Sequence, residues 1–235
     1  MTIGVLVIQS RFTRPWLLTV ILSVAALVGA ESPARAQAST VDPASQLQPS
    51  YFGTRELRSA DLAAFKQWNG AMERFSKERA EKLEGSCEEK RFNACNYSKL
   101  MQFLNGIKSK DRHTQLVEIN ALVNKAKYIS DDANWSQKDY WNSPGEFMAK
   151  FGDCEDFAIA KFVALSVIGF PPDSLRVVAV KDLNLKVGHA ILIVLLEGKA
   201  YVLDNQIPQV IEATKVRHYD PVFSINQKYW WRHVR

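Results

Sequence analysis

Three residues that could form a nucleophilic relay occur in the order thiol, imidazole, carboxylate. They are Cys154 in FGDCEDFAIAKF, His189 in GHAILIV and Asp204 in YVLDN. An ordinary thiol, with a pKa of about 8.5, is a poor nucleophile at neutral pH, but a helix N-terminus or a neighbouring imidazolium lowers that value. Cys154 stands where a turn becomes a helix. The thiol also needs a base, and beyond residue 36 the histidines are His113, His189, His218 and His233. Of these, His189 opens a strong β-branched run, and Gly188 before it permits close approach. The base needs an acceptor to fix its tautomer. If a hairpin turns at Glu197-Gly198, Asp204 falls opposite Ile191, with His189 its diagonal neighbour at about 7–8 Å between backbones. A turn shifted by half a step puts the two on opposite faces.

Each residue also has a plainer reading. Free cysteine is among the most buried residue types, a strand histidine is commonly a satisfied core residue, and Asp204-Asn205 suits a strand end entering a turn. Their conjunction is what points to chemistry. His113 lacks a second ligand at the i+4 spacing of helical metal pairs and reads as a surface residue.

The elements that must position these residues follow from periodicity. Leu62, Phe65, Trp68, Met72, Phe75 and Leu83 recur every three to four residues from Ser59 and predict an amphipathic helix stopped by Gly85. Leu116, Ile119, Leu122, Val123 and Ala126 predict a second, core-facing helix. Residues 131–152, with two tryptophans, a tyrosine and Ser-Pro-Gly, read as a loop beside a cleft that also covers the core. A buried helix runs from Asp153 to about Ile168, with Asp153 and Asp156 placed as a capping box. The pattern then turns to strands in LRVVAVKDL, HAILIVLLEG, KAYVLDN and near residues 209–211, consistent with an antiparallel sheet. Helices followed by strands make an α+β domain, its helical N-terminal part packed on the sheet.

The 235 residues, 47% hydrophobic, suffice for one sizeable core. Arg11 and Arg14 precede fifteen apolar residues and then Ala34-Arg35-Ala36, the pattern of a secretory signal over residues 1–36. That run falls short of the about 20 residues a bilayer crossing needs. Residues 37–54, rich in Ser, Pro, Gln and Ala, read as a flexible lead, and 55–235 as the folded domain. Loss of residues 1–36 leaves 27 basic against 24 acidic residues, a charge of +3. Interspersed in sign, these charges give no footprint for nucleic acid. Cys87 and Cys95 could close a small disulfide loop in an oxidising compartment, which leaves Cys154 as the odd thiol.

VEINALVNKAKYISD, DYWNSPGEF, GDCEDFAIAKF, GHAILIV and YVLDN together resemble the bacterial transglutaminase-like cysteine peptidases, whose best-known members are periplasmic proteases of the LapG type. The resemblance implies a papain-like or transglutaminase-like fold, Cys154 as nucleophile, His189 as general base and acid, and Asp204 as orienter. It implies a thioacyl-enzyme and a periplasmic location. It also implies calcium held by Asp153 and Glu155, with Asp156 a further candidate. The three carboxylates oppose thiolate formation, and a divalent cation would reverse that field. The competing reading leaves Asp153 and Asp156 as caps and Glu155 in solvent. A large surface adhesin as substrate, control of attachment or biofilm, and an inner-membrane cyclic di-GMP receptor as partner are further implications. The Cys154 N–H could supply half of an oxyanion hole, with Trp135, Gln137 and Trp141 as candidates for the rest. Transamidation by the same acyl-enzyme, and a non-catalytic protein-binding module on the same fold, are the alternatives.

Overall fold

The computed structural model describes residues 51–80 and 94–235. The leader expected over 1–36 lies outside them, as do Cys87 and the side chain of Cys95. Residues 51–54 are the described part of the expected lead, and there Tyr51 and Thr54 are buried, with Tyr51 Oη donating to Ser224 Oγ at 3.1 Å.

The chain begins with strand β1 (Arg55–Ser59) and continues through six helices: α1 (Lys66–Ala80), α2 (Ala94–Ile107), α3 (Arg112–Val123), α4 (Asp131–Trp135), α5 (Pro144–Lys150) and α6 (Cys154–Val167). Strands β2 (Leu175–Asp182), β3 (Val187–Leu196), β4 (Lys199–Leu203), β5 (Ile211–Glu212), β6 (Tyr219–Ile225) and β7 (Trp230–Val234) follow. They form one sheet in the order β1-β7-β6-β2-β3-β4-β5, antiparallel throughout. This is the α+β, transglutaminase-like arrangement. Among the described residues no helix is long and apolar enough to cross a membrane.

The centre of the sheet is buried on both faces, so residues 177–180 of β2 and 190–196 of β3 are unbroken apolar runs. Val177, Leu192, Val194 and Leu203 meet the helices, while Val178, Val180, Ile191 and Ile193 pack on the other side with Ala213, Val216 and Tyr219. Helix α6 is the central pillar, with Asp156 to Leu165 all buried. On the flanking α3, Asp111 Oδ1 accepts from Thr114 N at 2.9 Å and caps the helix. There Leu116, Ile119 and Val123 are buried and His113 is exposed.

Several elements differ from the sequence reading: residues 131–152, read as a loop, contain α4 and α5, and α2, β1, β6 and β7 were not anticipated. Helix α1 starts at Lys66 rather than near Ser59, because residues 55–59 pair with β7. Strand β6 was hidden by Pro221, which lacks a ladder donor. The register slips between Ala179 and Val180, opposite Phe223 and Pro221, so Val222 is an extra residue that bulges out, 43% exposed.

Candidate active site

The N-terminus of α6 is fixed from behind by a buried acid. Asp156 Oδ1 accepts from Asn142 N at 2.6 Å, and Oδ2 accepts from Asn142 Nδ2 at 2.7 Å and from Asp153 N at 3.3 Å. The Asp156 arm of the expected capping box is therefore present, and Asn142 joins it to the preceding loop. Asn142 Nδ2 also donates to Phe151 O at 2.9 Å, where the chain takes a φ of +63°. Gly152 lies so near that a Cβ there would fall 1.9 Å from Asp156 Oδ2 and 2.7 Å from its Cβ. This packing sets Cys154 at the first helical position.

Strand β3 and the end of β4 carry the other two groups. The hairpin turns at Glu197-Gly198, both with positive φ, and pairs Leu196 with Lys199 and Leu192 with Leu203. Continuing that register sets Asp204 level with Ile191 and one diagonal step from His189. His189 Nε2 and Asp204 Oδ1 lie 2.9 Å apart, both residues buried. Burial works against the Asp204 anion, but hydrogen bonds from His189, Tyr219 Oη (2.6 Å) and Gln206 N (2.9 Å) hold its carboxyl below the usual range. An ionised carboxylate only accepts, so Nε2 carries the proton and Nδ1 is the free base. Gln206 Nε2 approaches Nδ1 at 3.3 Å.

Cys154 and His189 line one cleft of about 900 Å³, together with Glu155, Trp141, Gly188, Ala190, Val187 and Val222. Cys154 Sγ donates to Glu155 Oε2 at 3.0 Å. Burial first, and then the Glu155 carboxylate, push the thiol well up, against a hydrogen bond from the Ala190 backbone N–H. Without a counter-charge, the acids hold the sulfur as a thiol.

Of the residues considered for an oxyanion hole, Trp141 reaches the cleft, but its Nε1 donates to Asp139 Oδ1 at 2.9 Å. Trp135 stacks on Tyr140 with ring centres 4.6 Å apart, its Nε1 buried and without a partner. Gln137 lines a separate hollow with Lys66 and Arg74.

The acids beside Cys154 form a cluster that includes two residues the sequence reading passed over, Asp131 and Asp139. Asp131, Asp153 and Asp156 bring one oxygen each within 4.8 Å of the others, and so do Asp131, Asp139 and Glu155. Asp131 is shared by both sets and is buried, its Oδ2 accepting from Tyr140 N at 2.5 Å. Asp131 Oδ1 and Asp153 Oδ1 are buried with no hydrogen-bond partner. Burial, opposed by that hydrogen bond and assisted by Asp153, raises Asp131 to about 6; burial and then Glu155 raise Asp153 to about 7. Orphaned, mutually repelling oxygens are what a hard divalent cation satisfies, so the donor set fits calcium. Asp156, with both oxygens engaged by Asn142 and Asp153 N, contributes less free capacity than Asp131.

Asp131, Asp139, Asn142, Gln206 and Tyr219 are thus the site residues that sequence reasoning missed. Gln206, two residues beyond Asp204, was the most accessible of them.

A thiol at a helix N-terminus, sharing a cleft with a strand imidazole backed by a buried carboxylate, on a helix packed against an antiparallel sheet, is the arrangement of the transglutaminase-like cysteine hydrolases. Residues 84–234 match the family of bacterial transglutaminase-like cysteine proteinases, and the chain belongs to that family. Its structure is similar to that of Legionella pneumophila LapG, with 27% identity over 69% of this chain and 87% of that one, at a TM-score of 0.55. The calcium-bound form of that protein gives 27% identity over 68% and 86% of the two chains, TM-score 0.54. Its EGTA-treated form gives 26% over 70% and 86%, TM-score 0.56. No curated protein matches the chain.

Proposed function

We propose that this cysteine peptidase is an exported, calcium-dependent endopeptidase whose relay is Cys154, His189 and Asp204. The observation that carries the reading is the His189–Asp204 contact of 2.9 Å beside a cleft shared with Cys154. His189 Nδ1 takes the thiol proton, and the sulfur attacks a substrate peptide carbonyl. The resulting imidazolium, held by Asp204, protonates the leaving amine as the C–N bond breaks and a thioester forms. His189 then takes a proton from water, which attacks the thioester and releases the acid and the thiol. The Cys154 backbone N–H, at the start of α6, is one donor for the oxyanion.

Asp131, Asp153 and Glu155 would hold calcium, with Asp139 and Asp156 at the margin and backbone carbonyls and water completing the about 6–8 oxygens it takes. Bound there, the cation supplies positive charge that offsets the carboxylates and favours the thiolate. The calcium-bound and EGTA-treated forms of the Legionella protein support this assignment. Export to the periplasm rests on the leader pattern of residues 1–36. A large surface adhesin as substrate, with attachment or biofilm as the process controlled, and an inner-membrane cyclic di-GMP receptor as regulator, are extended from the family likeness.

The test is incubation of the purified protein with exported proteins of the same cell, with calcium or with a chelator. Calcium-dependent release of a new N-terminus, lost in Cys154→Ala, is expected. Release of ammonia with cross-linking instead would make the protein a transglutaminase. Equal alkylation of wild type and Cys154→Ala would remove Cys154 as the nucleophile.

A further inference from the structure

Four of the eight large apolar side chains that stand exposed among the described residues belong to the β2–β3 turn and the neighbouring β6 bulge: Leu183 (50%), Leu185 (60%), Val187 (51%) and Val222 (43%). The turn is pinned by its own backbone. Asp182 Oδ1 accepts from Asn184 N at 2.8 Å and from Leu185 N at 2.9 Å. Lys186 N donates to Asp182 O at 2.7 Å and Leu183 N to His218 O at 2.8 Å. The apolar side chains are thus held out in water by a fixed loop. Apolar groups that crowd together at a surface, unlike scattered ones, mark a place where something binds.

Leu183, Val187 and Val222 line the same cleft as Cys154 and His189. The floor beside them is made of small residues. Gly188 and Ala190 alternate onto one face of β3, and Ala179 of β2 pairs with Ala190. A Cβ on Gly188 would meet nothing within 4 Å, and its φ is not in the left-handed region. Neither the packing nor the backbone of this chain calls for a glycine there. Strand β4 pairs with β3 only from Leu192 onward, so no strand covers the β3 edge beside Gly188. An uncovered edge takes up extended chain, and the chain that a peptidase brings to Cys154 is its substrate.

We infer that this end of the cleft is a specificity subsite for a bulky aliphatic or aromatic side chain of the protein substrate, with Gly188, Ala190 and Ala179 as floor and Leu183, Val187 and Val222 as rim. The substrate runs extended past the open edge of β3 and lays one apolar side chain on the floor, where it leaves water against the rim. The missing side chain of Gly188 is the room this group fills. This role rests on Cys154 being the peptidase nucleophile, and adds what selects the substrate near the cut.

Peptides from a tryptic digest of the cell's exported proteins are incubated with the purified protein and calcium, and new termini are read by mass spectrometry against a Cys154→Ala blank. Wild type is expected to favour Leu, Ile, Val, Met or Phe over Ser or Asn by about tenfold at one position near the cut, the discrimination an apolar pocket supports. Leu183→Asn combined with Val222→Asn, both at exposed positions, is expected to bring that ratio to about twofold or less. Gly188→Val, which the open space at that position admits, is expected to turn the preference towards Ala. Each ratio is internal to one protein, so a general loss of rate leaves it in place. If the double variant does not fold, Leu183→Asn alone carries the same expectation. An unchanged ratio in the folded rim variant overturns the proposal, and so does a wild-type preference for Asp and Glu, set by Lys181 and Lys186, which also line this end. Cuts without apolar preference sink the subsite and leave the peptidase; absence of any Cys154-dependent cut sinks both.

Discussion

His189 and Asp204 face each other across a hairpin closed by only two residues, Glu197 and Gly198, and their contact of 2.9 Å is a consequence of that turn. One residue more or less would move every side chain beyond it to the opposite face. The geometry of this pair is therefore built into the turn as much as into the two residues.

Asp204→Asn should keep the hairpin, since an amide oxygen at the Oδ1 position can still accept from Gln206 N while the amide N–H at the Oδ2 position donates to Tyr219 Oη. It should remove the anion that stabilises the imidazolium, so kcat/KM for peptide cleavage is expected to fall by about 100-fold or more. Tyr219→Phe deletes one neutral donor and is expected to cost less than about tenfold. Steady-state kinetics on both variants, with circular dichroism to establish folding, checks the order. Equal loss in the two would mean that Asp204 acts by packing rather than by charge.

Gly152→Ala should damage the site through Asp156. The new Cβ would meet the Asp156 Cβ as well as its carboxylate, so rotation of the acid alone cannot relieve the clash. The N-terminus of α6 must shift, at a cost of about 1–3 kcal/mol. A lower melting temperature together with loss of Cys154-dependent cleavage is expected. A variant that melts and cleaves like wild type would show that the loop before α6 yields freely.

The hairpin and the His189–Asp204 contact were legible in the sequence because they depend on local signals: strand periodicity, a two-residue turn, and a polar residue at each strand end. Helix α6 was legible for the same reason. Strand β1, RELRS, is a short polar edge strand that gains its structure from β7, nearly 180 residues away, and nothing in its own pattern announces it. Strand β6 was concealed by Pro221 and its bulge, which also places Val222 in the cleft. Asp131 was illegible as a site residue because it stands 23 positions before Cys154, in DDANW, where an acid in a segment read as a loop looks like an ordinary exposed charge. Only the fold returns α4 to α6, through the pairing of Tyr128 with Gly152.

Asp131→Asn tests the acidic cluster with opposite signs in two conditions. Without calcium it removes one of several repelling carboxylates and is expected to raise the melting temperature. With calcium it removes a shared ligand, so the stabilisation that the ion adds, which grows with its concentration over Kd, is expected to shrink by at least about half. Thermal denaturation across a calcium series reads both. Equal calcium-induced shifts in variant and wild type would place the ion elsewhere.

Glu78 supplies a pH dependence independent of that cluster. It is buried on α1, accepting from Ser143 Oγ and, at 3.1 Å, from Gly145 N at the start of α5. Burial outweighs those hydrogen bonds and lifts its carboxyl to about 7. The folded chain thus keeps a proton that the unfolded chain releases near its ordinary value of 4.5. Its contribution is fully present below that value and is lost as pH rises through about 7, a loss of up to about 3 kcal/mol. Denaturant midpoints between pH 5 and 8, the range spanning this shift, should fall with rising pH in the wild type and fall less steeply in Glu78→Gln, the remaining slope coming from Asp131 and Asp153, whose carboxyls are raised in the same direction. The amide stays neutral across that range, so parallel slopes in the two proteins would assign the pH dependence to other groups.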